Sequence, residues 1–288
     1  MGTDELHPEV HEQQLGRDPR YDLSPEEARL LCGEFLAGTE NKPDAQFGCY
    51  VIGGTDDFSN LGRFVESTVF LEAFGNTPEL MAEEYGPYEE SSEFFVVVDH
   101  DSEMPIGVLR TIRNSEAGLK SLKDLEQTPL ALDPDAVCEE FGIDPDKCID
   151  VGTLAILPEF RARVGNILPS LLLYRTLYVR CLSNPDYDHV VTIIDQAAEK
   201  NLHKLSFPFK PIDERYFSYL DSPQSRALYG INKEFYPSVS RRQAELEEQA
   251  GEEQASAKHW YAMMLDGLAN GTHLDEMLAF ARPAESKH

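Results

Sequence analysis

Basic residues are scarce in this chain. Its 288 residues include 25 lysines and arginines against 52 aspartates and glutamates, which gives a formal net charge of −27 at pH 7. A surface of that sign repels the phosphates of nucleic acids and of anionic lipids, so we expect neither as a partner. It follows that a site for an anionic ligand must be a local cluster of basic residues.

Cysteine is scarce too, and its spacing excludes the usual sites built from it. The five cysteines are an odd number and form no Cys-x-x-Cys pair. We therefore predict neither a zinc site nor a disulfide framework, and we expect no metal cofactor. Reduced thiols in a cytoplasmic protein fit this pattern better.

Long apolar runs and several catalytic motifs are missing as well. No run approaches the about 20 apolar residues of a membrane helix. The opening MGTDELHPEV resembles no signal peptide, so we expect a cytoplasmic protein that binds no membrane. Gly-x-Ser-x-Gly, Walker and His-Glu-x-x-His motifs do not occur, so a serine hydrolase, a P-loop nucleotidase and a zinc protease have no support.

What the chain does contain is an alternation of strand-like and helix-like patterns. Strands are predicted at 47–52, 94–99, 106–112, 149–157, 189–194, 215–221 and 226–236. Helices are predicted at 27–36, 58–74, 77–85, 119–125, 135–141, 167–182, 196–205, 238–257, 259–268 and 274–281. This order predicts an α/β (α+β) protein, in which a mixed sheet carries helices on both faces.

The same pattern predicts three parts. An N-terminal arm and helix occupy 1–46, and a central domain occupies 47–237. Residues 113–147 are an insertion in that domain, rich in Asp, Glu and Pro, with little expected core. A helical extension at 238–288 packs on the domain or on a second subunit, so a homodimer through these helices is a further expectation.

Residues 148–173, CIDVGTLAILPEFRARVGNILPSLLL, predict a buried strand, a basic loop and the start of an apolar helix. The free backbone N–H groups at a helix start attract phosphate, and Arg161 and Arg163 add positive charge. Gly165 would let the backbone approach a ligand closely. The alternative is an ordinary strand–helix connection with two solvated arginines.

Three further features could carry chemistry, each with a structural alternative. Asp150 opens an apolar strand and could accept a proton from an amine, or simply complete a turn. The carboxylates of the turn EEYGPYE at 83–89 could bind a cation, or belong to a solvated acidic loop. Arg110 lies in a strand predicted to be buried, where it needs a carboxylate partner.

The run LAILPEFR at 154–161 resembles the acyl-CoA-binding core of the GNAT acyltransferase superfamily. Within that superfamily, five stretches are similar to autoinducer synthases and N-acyl amino acid synthases: RFVESTVFLEAF at 63–74, the acidic turn at 84–89, FFVVVD at 94–99, GVLR at 107–110 and DVGTLA at 150–155. The resemblance implies a mostly antiparallel twisted sheet and direct N-acyl transfer to a small, amino acid-like amine.

The resemblance also implies residue roles. Acyl-CoA or an acyl carrier protein would be the co-substrate, held by Leu154, Ala155, Ile156, Arg161, Arg163, Val164, Gly165 and Asn166. The amine acceptor would be lined by Glu84, Tyr88, Glu89, Arg110 and Thr153. Asp150, or Glu84 through a water molecule, would take the proton from the amine.

Three departures from the family pattern keep alternatives open. The loop has a single glycine, Gly165, which leaves a carrier protein as an alternative donor. Leu202 stands where many members of the superfamily have a tyrosine that acts as the general acid. Thr153 stands where autoinducer synthases have an arginine. A protein that binds an acyl donor without transferring it, and an acetyl-CoA-dependent N-acetyltransferase, are the alternative functions.

Overall fold

The structure is a computed structural model, and it describes residues 18–161, 167–251 and 256–280. Four residues of the predicted phosphate loop, Arg163, Val164, Gly165 and Asn166, lie outside the described residues. Arg161 lies within them.

The described residues form nine strands in one sheet. They are β1 (Phe47–Gly53), β2 (Ser92–Asp99), β3 (Met104–Arg113), β4 (Cys148–Ile156), β5 (His189–Asp195), β6 (Lys210–Pro211), β7 (Phe217–Tyr219), β8 (Ser222–Ile231) and β9 (Leu278–Phe280). The strand order is β6-β8-β5-β4-β3-β2-β1-β9, with β7 paired to β8. Only the β4–β5 and β1–β9 pairs in this part of the chain are parallel, so the prediction of a mixed, mostly antiparallel sheet is confirmed.

The helices of the described residues surround this sheet. They are α1 (Pro25–Gly38), α2 (Asn60–Phe74), α3 (Pro78–Tyr85), α4 (Lys120–Asp124), α5 (Pro134–Phe141), α6 (Leu168–Leu177), α7 (Gln196–Lys204), α8 (Asn232–Ala250) and α9 (Ala257–Asn270). A capping box starts α1, in which Ser24 and Glu27 are bonded reciprocally. None of these helices is both long and apolar enough to cross a bilayer.

Helices cover both faces of the sheet, as predicted. Successive strand residues point to opposite faces, and Val190 and Val191 accordingly belong to different core clusters. The face of Val190 packs on α6, α7, α8 and α9, whereas the opposite face packs on α1, α2, α4 and α5. The insertion therefore supplies real core, contrary to expectation, because Leu119, Leu122 and Leu125 are buried against the sheet.

Two further predictions about the second half of the chain are wrong. The strand expected at 226–236 ends at Ile231, and α8 begins at Asn232, so this helix runs across the predicted domain boundary at 237. The helix expected at 274–281 is a short 3-10 turn followed by β9, which pairs with β1. Pairing with an exposed sheet edge overrides the helical periodicity of this segment. The three-part division and the homodimer remain predictions.

Candidate active site

The sheet splits between β4 and β5. These parallel strands pair only from Cys148 to Val151 and from His189 to Thr192. Beyond that point they separate, and a cleft of about 550 Å³ opens between their C-terminal halves. The carboxyl ends of neighbouring parallel strands are where open α/β sheets bind ligands.

A β-bulge shapes the floor of this cleft. Arg110 pairs with Thr153 and Thr111 with Val151, so Gly152 is an extra residue in β4. The bulge interrupts the ladder and redirects the strand. Tyr85 donates a hydrogen bond to the Gly152 carbonyl at 3.1 Å and fixes the bulge from the side of α3.

One half of the cleft contains four of the residues predicted to bind the acyl donor. Leu154, Ala155 and Ile156 line the cleft along β4, and Arg161 lines it where the strand has ended. The exposed Arg161 donates from Nε to the Ile156 carbonyl at 2.9 Å. This bond holds the guanidinium beside the strand and leaves its two terminal nitrogens available for an anion.

Arg110, predicted to contact the acceptor, lies instead beneath the cleft and is completely buried. It donates from Nε and Nη2 to the two carboxylate oxygens of Glu66, at 3.0 and 2.6 Å. Thr153, which does line the cleft, donates its hydroxyl to the same carboxylate. The guanidinium lies between the rings of Tyr85 and Phe94, at 4.5 and 4.4 Å from their centroids. Arg110 thus reaches the cleft only through its neighbours.

Glu89 belongs to the same buried network. It pairs with Arg63 and lies 3.6 Å from Arg110 Nη1. Tyr21, from the segment before α1, donates its hydroxyl to Glu89 Oε1 at 2.5 Å and accepts from Arg110 Nη2 at 2.9 Å. The pKa of Glu89 is lowered: burial works against this, but the hydrogen bond and charge of Arg63 and the charge of Arg110 outweigh it.

Glu84 and Tyr88, the remaining predicted acceptor residues, do not line the cleft. Glu84 accepts from the buried Lys120 Nζ at 2.6 Å, and Lys120 also contacts Asp124 at 2.8 Å. Asp124 in turn accepts from the hydroxyl of Tyr219, which does line the cleft. Tyr88 is buried, which raises its pKa to about 12. The side chain of Tyr219 therefore separates the cluster of Glu84, Lys120 and Asp124 from the cleft.

Asp150, the predicted base, is completely buried and lies outside the cleft lining. Its two oxygens accept from the backbone N–H and the hydroxyl of Ser121, at 2.6 and 2.7 Å. These bonds attach the start of α4 to β4. Burial raises the pKa of Asp150 to about 7, with a smaller contribution from the charge of Asp124, and the bonds from Ser121 oppose the shift.

No protein-family model matches the sequence, and no curated protein does so either. The fold, in contrast, is similar to that of solved structures. One is FeeM, an N-acyl amino acid synthase from uncultured soil microbes, with a TM-score of 0.51 and 13% identity over 67% of this chain and 93% of FeeM. This chain has a GNAT-like fold.

Weaker similarities extend to other acyltransferases of this fold. BjaI, a CoA-dependent acyl-homoserine lactone synthase solved with SAM and isopentyl-CoA, gives a TM-score of 0.47 and 12% identity over 82% of this chain and 94% of BjaI. The spermidine N-acetyltransferase of Vibrio cholerae, solved with CoA and spermine, gives a TM-score of 0.39 and 10% identity over 65% of this chain and 96% of the acetyltransferase. The similarity to FeeM confirms, at the level of the fold, the resemblance inferred from the sequence.

The GNAT-like cleft contains polar residues that the sequence did not single out. Tyr174 lines it from α6, and none of the described residues forms a hydrogen bond with its hydroxyl. Burial raises its pKa to about 12, and the charge of Asp195 adds to the shift. Asp195 lines the cleft at the end of β5 and accepts from the backbone of Ala197 and Ala198, at 2.7 and 2.9 Å. Tyr174 had no sequence signal, because it lies in the apolar run LLLYRTL.

A second groove, of about 680 Å³, lies at the opposite end of β5 in the GNAT-like sheet. It is lined by Tyr178, Tyr236 and Asn232, among others. None of the predicted site residues within the described part of the chain lines it. The cleft between β4 and β5 is therefore the candidate active site.

Asp150 gives the GNAT-like domain a pH dependence that can be measured. Because its folded-state pKa of about 7 exceeds the ordinary 3.8, folding takes up a proton between these values, and the contribution of Asp150 to stability falls as the pH rises through that window. We expect Asp150→Asn to remove this dependence. In scanning calorimetry, the difference between the Tm of the variant and the Tm of the wild type should increase from pH 5 to pH 8.

The control for this measurement is Asp57→Asn, an identical change at an exposed site. Its Tm should follow the wild type at every pH. If Asp150→Asn did the same, Asp150 would not be the titrating group. The kcat of Asp150→Asn separately tests the predicted base, since full activity would exclude that role.

Proposed function

We propose that this protein is an N-acyltransferase, which moves an acyl group from a phosphopantetheine thioester to a small-molecule amine. The observation that carries the proposal is the cleft where β4 and β5 separate past the bulge at Gly152, in a GNAT-like fold. A thioester lying along β4 would find backbone N–H groups beside its carbonyl oxygen. Such donors stabilise the oxyanion that forms during attack.

The reaction we propose is a direct transfer. The amine nitrogen attacks the thioester carbonyl carbon, the C–N bond forms and the C–S bond breaks. The amine loses a proton, and the sulfur leaves as a thiolate that gains one. Most of the acceleration would come from holding the two substrates together in the cleft, with oxyanion stabilisation added.

Tyr174 fits the leaving-group side of this reaction. Three tyrosines line the cleft, and two of them use their hydroxyls within the protein: Tyr85 bonds to Gly152 and Tyr219 to Asp124. Tyr174 has no such bond among the described residues. With a pKa of about 12 its phenol stays protonated at neutral pH and is always able to donate to the leaving sulfur.

For the proton of the amine, the chain offers one carboxylate on the described part of the cleft lining, Asp195. Asp150 and Glu84 remain predicted bases. Glu84 would act through water, since its carboxylate is bonded to Lys120. The proposed donor is acyl-CoA or an acyl carrier protein, and Arg161 would bind a phosphate group of either one.

The wall of the cleft that α2 forms favours an acyl group longer than acetyl. It consists of apolar side chains of α2, namely Val69, Phe70, Ala73 and Phe74. The rings of Phe70 and Phe74 pack edge to face at 5.7 Å. An acyl chain against this wall would remove apolar surface from water, which stabilises the complex by about 0.8 kcal/mol per buried CH₂.

The test is thiol release from acetyl-, octanoyl- and dodecanoyl-CoA in the presence of an amine mixture. We expect amine-dependent release, fastest with a chain longer than acetyl. Ala73→Trp fills the wall and should lower kcat/KM for dodecanoyl-CoA by about 10-fold or more, while acetyl-CoA is little affected. Glu72→Trp, at the exposed neighbouring position outside the cleft lining, is the matched control.

Other outcomes of the same assay identify the alternatives. Tight acyl-CoA binding without release in any mixture would indicate a binding protein that catalyses no transfer. Release from acetyl-CoA alone would indicate an N-acetyltransferase. The absence of both binding and release would remove acyl-CoA as the donor.

A further inference from the structure

The buried charges behind the acceptor side of the cleft are unbalanced. The cations are Arg63, Arg110 and Lys120. The carboxyl groups are Glu66, Glu84, Glu89, Asp124 and Asp150, and Asp150, with its pKa of about 7, carries only part of a negative charge at neutral pH. Three positive groups therefore face five carboxyl groups, in a region where only Glu84 is more than slightly exposed.

The cations of this region are already committed to protein carboxylates. Arg110 is bonded to Glu66, Arg63 to Glu89, and Lys120 to both Glu84 and Asp124. In the described part of the cleft lining, Arg161 is the only basic side chain, and it stands at the donor end. A carboxylate on the acceptor would therefore meet no free cation on the described acceptor wall.

The acidic cluster is separated from the cleft by only two rings. Tyr85 and Tyr219 line the cleft, and Lys120 Nζ lies 5.1 and 5.7 Å from their centroids on the other side. Charges at that depth interact strongly, because little water screens them. An excess of buried carboxylates is costly unless a positive charge approaches, and the cleft is where one can.

We propose that the acceptor is an amine with a net positive charge and no carboxylate group, and not an α-amino acid. This rests on the proposed N-acyl transfer and specifies its acceptor. The cluster sets the electrostatic potential of a cleft that is already a site for other reasons. A positively charged acceptor supplies the charge that the network lacks, whereas the carboxylate of an amino acid would add to the excess.

Two matched pairs of amines test the proposal, because the members of each pair differ only in the carboxylate. They are tyramine with tyrosine, and cadaverine with lysine. Binding is measured by calorimetry with the donor site filled by CoA, and turnover by thiol release from the best acyl-CoA. We expect the carboxylate-free member to bind at least about tenfold more tightly, since like charges brought together across an interface repel each other. kcat/KM should follow the same order.

A pair of variants ties the preference to the cluster. Glu84→Gln removes one of the five carboxylates at a half-exposed position, and should lower the tyramine-to-tyrosine ratio by about threefold. Glu83→Gln makes the same change on the exposed side of α3 and should leave the ratio as it is. Equal ratios in the two variants would contradict the role of the cluster.

Measuring binding and turnover separately distinguishes failure of the acceptor preference from failure of the proposed N-acyl transfer. If tyrosine or lysine binds as well as its carboxylate-free partner, or if neither member binds, the inference about the acceptor is overturned. If tyramine binds preferentially but no thiol is released, the acceptor preference stands and the proposed transfer fails.

Discussion

Replacing Arg110 with methionine is expected to lower the free energy of unfolding by about 3–5 kcal/mol, the usual cost of breaking a buried ion pair from one side. The change leaves Glu66, which is fully buried, with the hydroxyl of Thr153 as its remaining partner among the described residues. It also removes a donor to Tyr21. Urea denaturation monitored by circular dichroism measures the loss.

Two comparisons show whether the cost comes from the stranded charge. The double variant Arg110→Met with Glu66→Leu removes both charges and should be more stable than Arg110→Met alone. Lys123→Met breaks an ion pair whose side chains are 54% and 53% exposed, and should cost less than about 1 kcal/mol. A double variant no more stable than Arg110→Met would show that packing around the guanidinium, and not its charge, supports the fold.

Replacing Tyr174 with phenylalanine is expected to lower kcat by about 10- to 100-fold, the range for losing a hydrogen bond to a charged group of 1.5–3 kcal/mol. The ring remains, so its edge-to-face contact with Phe207 at 5.9 Å is preserved and the fold should be unchanged. The KM for acyl-CoA should stay within about twofold, because an interaction made mainly in the transition state affects kcat. Steady-state thiol release measures both constants.

Tyr178→Phe is the matched control, since it removes the same hydroxyl one helical turn further on, at the second groove. It should leave kcat unchanged. A second check uses a thioester whose leaving thiol has a low pKa and therefore needs less help from a proton donor. With this donor, Tyr174→Phe should lower kcat by a smaller factor than with acyl-CoA. An equal loss with both donors would assign the Tyr174 hydroxyl to a role other than assisting the leaving sulfur.

The sequence predicts the fold well because most of its strands and helices are decided locally. The apolar run of β5, the aromatic and β-branched run of β2 and the capping box of α1 are short-range patterns. β9 is the exception. Its partner β1 lies more than two hundred residues earlier in the chain, and no local pattern reports such a pairing.

The candidate site is less predictable, for the same reason. That Arg110 needs a carboxylate follows from its buried strand, but the identity of Glu66, 44 residues away, does not. Tyr21 joins the network from 89 residues away. The acidic turn at 83–89 and Arg110 were predicted to contact the acceptor. In the structure, Glu84, Glu89 and Arg110 form internal ion pairs. Thr153 is the predicted acceptor residue that lines the cleft in the described part of the chain.

The pairing of β9 with β1 has a consequence for folding during synthesis. β1 is among the first elements of the sheet to be made, but its outer edge finds a partner only when residues 278–280 have left the ribosome. Until then, a strand with five of its seven residues apolar presents unpaired backbone groups to other chains. Contacts of such long sequence separation form slowly, so we expect the nascent chain to be more prone to aggregation until β9 has paired with β1.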